Sequence, residues 1–267
     1  MVRAIVAGAG GRMGGRIINI IKDDPEIELA AAFEHPESPW VGKDAGEAAG
    51  CGPLGVEVAP TIDQVIDAGD VVIDFTFHEA TVVHARRAAE KGRAMVIGTT
   101  GFTPQELEEI HRLAQVFPCV QAPNMSVGVN LLYKLVSMAA STLGEDYDIE
   151  IVEAHHRMKK DAPSGTALQL ARVAAEARGY DLDEVGVYAR HGVIGERKRR
   201  EIGIQTVRAG DIVGEHTVLF GGIGERIEIV HKASSRDTFA KGAVRAAKWV
   251  VGRPAGLYDM QDVLGLR

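Results

Sequence analysis

The stretch Val2–Gly15, VRAIVAGAGGRMGG, decides the fold predicted for the first part of this chain. Its first six residues read as a buried strand, and an amphipathic helix with four isoleucines follows the glycines. A strand, a glycine turn and a helix open a dinucleotide-binding unit, because a Cβ would keep the pyrophosphate away from the backbone. Met13 stands where the last glycine of the common G-x-G-x-x-G pattern belongs. The spacing is instead G-x-x-G-x-x-G, at Gly8, Gly11 and Gly14.

An acidic residue after the second predicted strand supports this interpretation. Ile27–Phe33 reads as a strand, and Glu34 follows it about 20 residues after Gly14. A carboxylate there would accept hydrogen bonds from the adenosine ribose hydroxyls. Glu34 would repel a 2′-phosphate, whereas Arg12 or His35 would attract one. We therefore expect NADH to be used well and NADPH to remain possible.

Strands and helices then alternate as far as residue 126, which predicts a parallel sheet with right-handed crossovers. Thr61 with Gln64, and Thr103 with Glu106 after Pro104 at the first helical position, read as capping boxes that begin helices. Ligands bind at the carboxyl ends of such strands. The loops expected on the nicotinamide side are therefore at Thr76, Gly98–Thr100 and Ala122–Met125.

From Val127 the pattern changes to a long apolar helix followed by a strand-rich region. Its later strands are predicted to be antiparallel, with turns at Gly210-Asp211 and Gly221-Gly222: Ile202–Arg208, His216–Phe220 and Arg226–Lys232. A helix from Ser235 is expected to return to the first domain. The predicted fold class is α/β, with a Rossmann-type parallel sheet in residues 1–126 completed by 237–267, and an α+β domain with a mixed, open sheet in residues 127–236.

The segment Glu153–Thr166, EAHHRMKKDAPSGT, carries the chemistry of the second domain. A half-buried strand precedes His155 and His156, which would face opposite sides at its end. Ser164 is a good N-cap, and the N–H groups of the next two residues would hold a carboxylate or phosphate. Two histidines, a nearby lysine and an anion site together indicate an acid–base centre for an anionic substrate.

Composition excludes several other classes. The formal net charge is −7, so no global basic field would attract nucleic acid. Two cysteines cannot form a disulfide framework, and neither is marked as a metal ligand or nucleophile. No apolar run is long enough to span a membrane, and no cleavable signal is expected at the N-terminus.

Several long motifs, in order, resemble the 4-hydroxy-tetrahydrodipicolinate reductase (dihydrodipicolinate reductase) family of lysine and diaminopimelate biosynthesis. The segments that carry this resemblance span nearly the whole chain: Gly8–Gly14, Val96–Gly101, Ser126–Asn130, Glu153–Ala167, Val207–His216 and His231–Arg236. The resemblance implies a cytoplasmic homotetramer paired through its second-domain sheets, a small dicarboxylate substrate, reduced NADH or NADPH as cofactor, and no bound metal.

The resemblance also implies roles for individual residues. His155 would donate or accept a proton and Lys159 would donate one. Substrate binding would fall to His156, Ser164, Gly165, Thr166 and Thr100. Cofactor binding would fall to Gly8, Ala9, Gly10, Gly11, Arg12, Met13, Glu34, His35, Gly98, Thr99, Thr100, Ala122, Pro123, Asn124 and Met125.

The neighbouring residues are expected to be structural. Lys160 would be exposed to solvent, Arg157 would form an ion pair with Glu153 or Asp161, and Asp161 would form the turn. Phe77 departs from the family pattern, because many members carry a basic or polar residue there. Two alternative functions remain: a redox sensor that binds a dinucleotide without turnover, and an amino-acid dehydrogenase of the aspartate dehydrogenase type. The first leaves the histidine–lysine cluster without a purpose, and the second lacks the Asp161–Thr166 loop.

Overall fold

The computed structural model describes residues 1–267, which form two compact units. The first unit comprises Met1–Val127 together with Asp237–Arg267, and the second comprises Gly128–Arg236. No helix is long and apolar enough to cross a membrane. No cluster of histidine, cysteine and acidic residues could hold a metal ion.

The first unit contains seven strands and six helices. The strands are β1 Val2–Ala7, β2 Ile27–Phe33, β3 Val58–Ala59, β4 Val71–Asp74, β5 Ala94–Ile97, β6 Pro118–Gln121 and, near the C-terminus, β12 Gly256–Tyr258. The helices are α1 Arg12–Lys22, α2 Ala45–Ala48, α3 His78–Glu90, α4 Pro104–Leu113, α8 Asp237–Val250 and α9 Met260–Leu264. Single 3-10 turns span Ile62–Gln64 and Ile66–Ala68.

The strands form one parallel sheet in the order β12-β6-β5-β4-β1-β2-β3. The predicted parallel Rossmann-type sheet is therefore confirmed. The strand order reverses at β1, whose neighbours are β4 and β2. Ligands of open α/β sheets bind beyond the strand ends at such a switch point, which here is where the glycine turn follows Ala7.

Both faces of this sheet are covered. Ala4 and Val6 pack in one core cluster with α1 and α8, while Ile5 and Ala7 pack in another with α3 and α4. Alternate residues of β1 thus enter two cores, which explains why its sequence is apolar throughout rather than alternating. The helix α8 also contacts β4, β5 and β6. A Cβ on Gly242 of α8 would lie 1.8 Å from the Met125 carbonyl oxygen, so only glycine permits this packing.

The second unit is built on a five-stranded mixed sheet. Its elements are α5 Val127–Leu143, β7 Asp148–His155, α6 Gly165–Ala177, α7 Leu182–Val185, β8 Gly186–Val187, β9 Ile202–Arg208, β10 Gly214–Gly221 and β11 Arg226–Ala233, with a 3-10 turn at Gly144–Asp146. The strand order is β11-β10-β7-β9-β8. β10 is antiparallel to both neighbours, whereas β7, β9 and β8 run parallel, which confirms the predicted mixed sheet.

One face of this second sheet is covered and the other is open. Ile149 and Ile151 of β7 join side chains of α5 and α6 in a buried core. Val152, Val207 and Val230 point to the other face, where each is at least 40% exposed. Glu150 and Glu228 lie on the same face, so the exposed valines form apolar patches on a mixed surface, where further burial is favourable.

Two local predictions are wrong. Thr61 makes no side-chain capping bond, and only a three-residue 3-10 turn follows it. The turn at Gly210-Asp211 does not join neighbouring strands, because β7 lies between β9 and β10. In contrast, the capping box of Thr103 and Glu106 is confirmed, with Pro104 at the start of α4.

Candidate active site

The glycine turn after β1 has the shape that a pyrophosphate requires. Gly8 has a φ of +69°, which favours glycine. A Cβ on Gly14 would lie 1.9 Å from the Gly8 carbonyl oxygen, so α1 can approach the turn only because Gly14 has no side chain. The start of α1 provides backbone N–H groups for an anion. These residues therefore fit a dinucleotide phosphate group.

A cavity of about 610 Å³ lies beside this turn. Its lining includes Gly8, Gly11, Arg12, Met13, Glu34, His35, Thr76 and Phe77. Within it, Glu34 accepts hydrogen bonds from the N–H groups of Gly10 at 2.9 Å and His35 at 3.1 Å. The carboxylate is thus fixed beside the glycine turn, where sequence reasoning expected a group for the ribose hydroxyls.

A buried carboxylate joins the ends of β4 and β5. Asp74 Oδ1 accepts bonds from the Thr76 N–H at 2.8 Å and the Thr76 hydroxyl at 2.7 Å, and Thr99 Oγ1 lies 3.3 Å away. Its Oδ2 lies 2.6 Å from His84 Nδ1 of α3. Burial alone would raise the pKa of Asp74, but the bonds to His84 and Thr76 hold it below its ordinary value. The network fixes two of the three loops predicted to line the nicotinamide side, those at Thr76 and Gly98–Thr100.

The other predicted cofactor residues also occupy strand ends of the first unit. Thr99 is buried within the Asp74 network, whereas Thr100 is exposed. Ala122–Met125 follows β6, and Asn124 Oδ1 accepts a bond from the Ser126 N–H at 2.9 Å. Phe77 is 64% exposed at the start of α3. The structure therefore places the cofactor residues predicted from sequence at one edge of the parallel sheet.

In the second unit, a buried glutamate connects the predicted acid–base residue to the start of α6. Glu153 Oε2 lies 2.6 Å from His155 Nδ1, and Oε1 accepts the Ser164 N–H at 2.9 Å. Arg208 of β9 donates to both oxygens, at 2.7 and 2.8 Å. Burial alone would raise the pKa of Glu153, but Arg208, His155 and the Ser164 N–H lower it to about 2. Glu153 is therefore a carboxylate that only accepts hydrogen bonds.

His155 lies between this carboxylate and a second histidine. The rings of His155 and His216 are 5.2 Å apart in an edge-to-face arrangement. Burial lowers the pKa of His155, although Glu153 opposes the change. Burial and the nearby His155 lower the pKa of His216 to about 4. His216 is therefore neutral at pH 7, and its Nε2 lies 3.1 Å from Ser164 Oγ.

The start of α6 is organised as predicted. The Ser164 hydroxyl accepts a bond from the Ala167 N–H at 3.1 Å, so Ser164 is the N-cap. Gly165 is exposed in the first turn, where helix amides have no partner within the helix. The Thr166 side chain bonds to Tyr133, whose pKa is raised by burial to about 12. This end of α6 suits a carboxylate ligand.

The basic loop between β7 and α6 holds one partly buried cation. Lys159 Nζ lies 2.9 Å from Asp161 Oδ1 and is 20% exposed. Lys160 is exposed, as predicted. The predicted ion pair of Arg157 with Glu153 or Asp161 is wrong: Arg157 is exposed, while Arg208 pairs with Glu153 and Lys159 pairs with Asp161. Of the three basic side chains Arg157, Lys159 and Lys160 in this loop, Lys159 is therefore the one held partly buried beside the His155 cluster.

Comparison with known proteins assigns the chain to a family. Residues 2–125 match the description "Dihydrodipicolinate reductase, N-terminus", and residues 128–264 match "Dihydrodipicolinate reductase, C-terminus". The chain belongs to the dihydrodipicolinate reductase family. Its relatives in this family include the 4-hydroxy-tetrahydrodipicolinate reductases of Syntrophus aciditrophicus (strain SB), 57% identical, and Syntrophobacter fumaroxidans (strain DSM 10017 / MPOB), 59% identical, each over 267 residues and the full length of both chains.

A solved structure of the same family has the same fold. The dihydrodipicolinate reductase from Paenisporosarcina sp. TG-14, determined with dipicolinate bound, is 27% identical to this chain with a TM-score of 0.78. The match covers 98% of each chain. Family membership thus rests on full-length sequence similarity, and the shared fold agrees with it.

Several residues that organise the candidate site were not predicted from the sequence. Arg208 and His216 lie on other strands, 55 and 63 positions after Glu153, so no local pattern connects them. The contact between Glu153 and His155 could have been predicted, because residues two apart on a strand share a face and His155 follows Glu153 at that spacing. Asp74 is a single acidic residue at the end of an apolar strand, a pattern that marks a buried, bonded carboxylate.

Proposed function

We propose that this chain is an NAD(P)H-dependent 4-hydroxy-tetrahydrodipicolinate reductase, which forms tetrahydrodipicolinate in the diaminopimelate route to lysine. The observation that carries the proposal is full-length membership of the reductase family, combined with the His155–Glu153–Arg208 cluster beside the start of α6. An acid–base group next to an anion site is what reduction of a dicarboxylate with proton uptake requires.

A reduced nicotinamide cofactor bound to the first unit would supply hydride for reduction of a cyclic unsaturated imine. Gly8–Met13 and Glu34 would hold its adenosine and pyrophosphate, and Gly98–Thr100 with Ala122–Met125 would border its nicotinamide. The fixed position of the Gly98–Thr100 loop supports this role, since Asp74 holds Thr99 together with Thr76 at the end of β4. Holding the reactants in a defined orientation supplies several kcal/mol of a typical enzymatic barrier reduction.

Protein side chains supply the proton. Nε2 of His155 is the proposed proton donor or acceptor, and Lys159 is the proposed donor. One substrate carboxylate would bind the Gly165 and Thr166 N–H groups, assisted by Ser164, and the other would bind His156 and Lys159. Thr100 is proposed as a further substrate contact. His155 and Lys159 would also stabilise the negative charge that develops on the substrate during reduction.

The test is oxidation of reduced nicotinamide with substrate generated by the preceding synthase. Replacing Lys159 with alanine should lower kcat/KM by about 10²- to 10⁴-fold, the usual contribution of a general acid. Lys160→Ala is the matched control, because that neighbouring side chain is exposed and has no ion pair. If Lys159→Ala and Lys160→Ala both retained the wild-type kcat/KM, Lys159 would have no part in the mechanism. If the wild type oxidised no reduced nicotinamide in the presence of the synthase product, the proposed function would be refuted.

We propose further that NADH is used well and that NADPH is also accepted. Glu34 lies in the cavity beside the glycine turn and would repel a 2′-phosphate, while exposed His35 and Arg12 would attract it. Glu34→Gln should therefore raise kcat/KM for NADPH relative to NADH, and His35→Asn should lower the same ratio. An unchanged ratio in both variants would contradict this assignment.

We also propose a homotetramer that assembles through the second-unit sheets and acts in the cytoplasm. Val152, Val207 and Val230 lie on the sheet face that the helices do not cover. The row containing Val152 and Val230 is continuous across β7, β10 and β11, because Thr217 lies between them in register. Burial of such a surface between copies of the chain would remove it from water.

A further inference from the structure

Glu153 lies at the centre of a row of polar residues that crosses the second sheet. In register it faces His216 of β10 on one side and Thr206 of β9 on the other. Its side chain is fully buried, yet both of its oxygens have partners. A buried carboxylate without partners is strongly unfavourable, so this arrangement is specific rather than incidental.

Each oxygen of Glu153 holds a different part of the proposed site. Oε2 fixes the ring of His155, and Oε1 fixes the backbone N–H of Ser164, the N-cap residue of α6. Arg208 bridges both oxygens and also donates to the Asp161 carbonyl oxygen at 2.7 Å. The strand end, the basic loop and the helix start are therefore connected through one side chain.

We propose that Glu153, held by Arg208, is the positioning residue of this site, fixing His155 in the tautomer with a proton on Nδ1 and setting its distance from the start of α6. This inference rests on the proposed function. Because a carboxylate can only accept, Nδ1 of His155 must donate to it. Nε2 is then the nitrogen left to exchange a proton with substrate.

Arg208 is needed to keep Glu153 ionised. A buried glutamate without a cation would bind a proton, and a protonated carboxyl could no longer accept from every partner. The paired guanidinium keeps Glu153 ionised through two parallel hydrogen bonds. Lysine at position 208 would keep the positive charge but lose the two parallel hydrogen bonds of the guanidinium. The loss of kcat in Arg208→Lys should therefore be intermediate.

Glutamine cannot replace Glu153 in this role. Its amide has one oxygen and one NH₂ group, so either Ser164 N–H or His155 Nδ1 would face a donor. The Ser164 backbone N–H cannot become an acceptor, whereas Nδ1 of His155 can, so the NH₂ group should face His155 and the imidazole should adopt the tautomer with its proton on Nε2. The substitution thus reports on positioning by a spectroscopic signature that loss of stability alone would not produce.

Four charged or titratable groups face His155. They are Glu153 on its own strand, Arg208 on β9, His216 on β10 and Lys159 in the following loop. Of these, Glu153 alone carries negative charge and raises the pKa of His155. Its neutralisation should therefore shift the ionisation of His155 to lower pH.

The experiment combines nitrogen-15 histidine NMR with kinetics on the full-length chain. In wild type, neutral His155 should show a protonated Nδ1 and an unprotonated Nε2, with the resonance assigned by its loss in His155→Asn. Glu153→Gln should lower kcat by about 10- to 100-fold or more, the usual effect of removing a partner that orients an active group. It should also change the tautomer and move the His155 ionisation to lower pH.

Thr206→Val is the matched control, because Thr206 contacts the same Oε1 at 3.3 Å but does not contact His155. It should leave the tautomer and the pH profile unchanged. Arg208→Lys provides a second variant should Glu153→Gln fail to fold, with an intermediate loss of kcat expected. A wild-type His155 protonated on Nε2, or an active wild type with equal kcat in Glu153→Gln, would overturn the inference. An inactive wild type with the predicted tautomer would instead refute only the proposed function.

Discussion

The Nε2 edge of His155 lies over Gly214 of the neighbouring strand β10. A Cβ built on Gly214 would be 3.1 Å from His155 Nε2 and 3.4 Å from Cδ2. These two residues face each other across the sheet, since Glu215 pairs with Ala154. The missing side chain leaves room for the ring to lean toward His216 while Nδ1 stays on Glu153.

Gly214→Ala should therefore displace the His155 ring by a few tenths of an ångström without changing any charge. Because small misplacements of reacting groups are costly, we expect kcat to fall about 10- to 100-fold with little change in cofactor affinity. Gly221→Ala on the same strand is the control, since its Cβ would meet only Leu219 at 3.4 Å. Steady-state kinetics of both variants provide the measurement, and equal kcat values would contradict the expectation.

Two glycines in the first turn of α1 should respond in opposite ways. Gly14→Ala places a Cβ 1.9 Å from the Gly8 carbonyl oxygen and should cost about 1–3 kcal/mol or more of stability, with loss of dinucleotide binding. Gly15→Ala meets Ala49 at an ordinary 3.5 Å and should gain about 0.5–1 kcal/mol. Urea unfolding and NADH titration of the two variants test this difference. Similar behaviour of both would show that the close approach to Gly8 is unimportant.

Asp74→Asn should loosen both loops that end β4 and β5. The amide removes the charge that pairs with His84 and leaves donors of Thr76 or Thr99 without an acceptor. Breaking a buried pair typically costs about 3–5 kcal/mol. We expect lower stability and weaker NADH binding, measured by thermal unfolding and calorimetry. Asp67→Asn, which removes an exposed pair with Lys91, should behave as wild type.

Acid should remove a stabilising contribution from Glu153. Its folded-state pKa of about 2 lies below the ordinary value of 4.5, so the contribution is complete above about pH 5.5 and decreases as the pH falls toward 2. The difference in free energy of unfolding between wild type and Glu153→Gln should therefore shrink, by at most about 3 kcal/mol. Urea unfolding from about pH 6 to about pH 3 measures it. A difference independent of pH would show that Glu153 is not held ionised.

The open face of the second sheet offers a test of assembly. Val152→Lys should yield smaller species in sedimentation velocity, because a buried, unpaired charge would oppose association. Val116→Lys is the control, since Val116 is 65% exposed and belongs to the first unit rather than to this sheet. Wild-type assembly in the Val152 variant would place the interface elsewhere.

Local signals predicted the elements well. The predicted bounds of β1 and β2 agree with the structure. Each strand is a short apolar run that ends at a glycine or a charged residue, so its limits are visible in the local sequence. The caps at Thr103 and Ser164 were likewise readable, since a cap depends on residues three positions away. Thr61 shows that this pattern is not sufficient. Thr61 and Gln64 have the spacing of a capping box, but only a three-residue 3-10 turn follows Thr61, and its side chain makes no capping bond.

Strand order and long-range pairing could not be read in this way. β9 and β10 follow each other in sequence, yet β7 separates them, and only the assembled sheet shows that Arg208 reaches Glu153. The prediction of an Arg157 ion pair was wrong because it considered only neighbours in sequence. Resemblance to the family indicates roles for His155 and Lys159, whereas the side chains that hold them come together only in the folded chain.

The return of the chain to the first unit through α8 has a consequence for biosynthesis. Side chains of α8 contribute to the core beneath β4 and β5, among them Ala243 and Val250. Met260 and Val263 of α9 belong to the same core, so during translation the first unit cannot complete it until α8 and α9 have left the ribosome. The second unit is continuous in sequence and is complete at Arg236, so it can fold while the first still waits for its last helix.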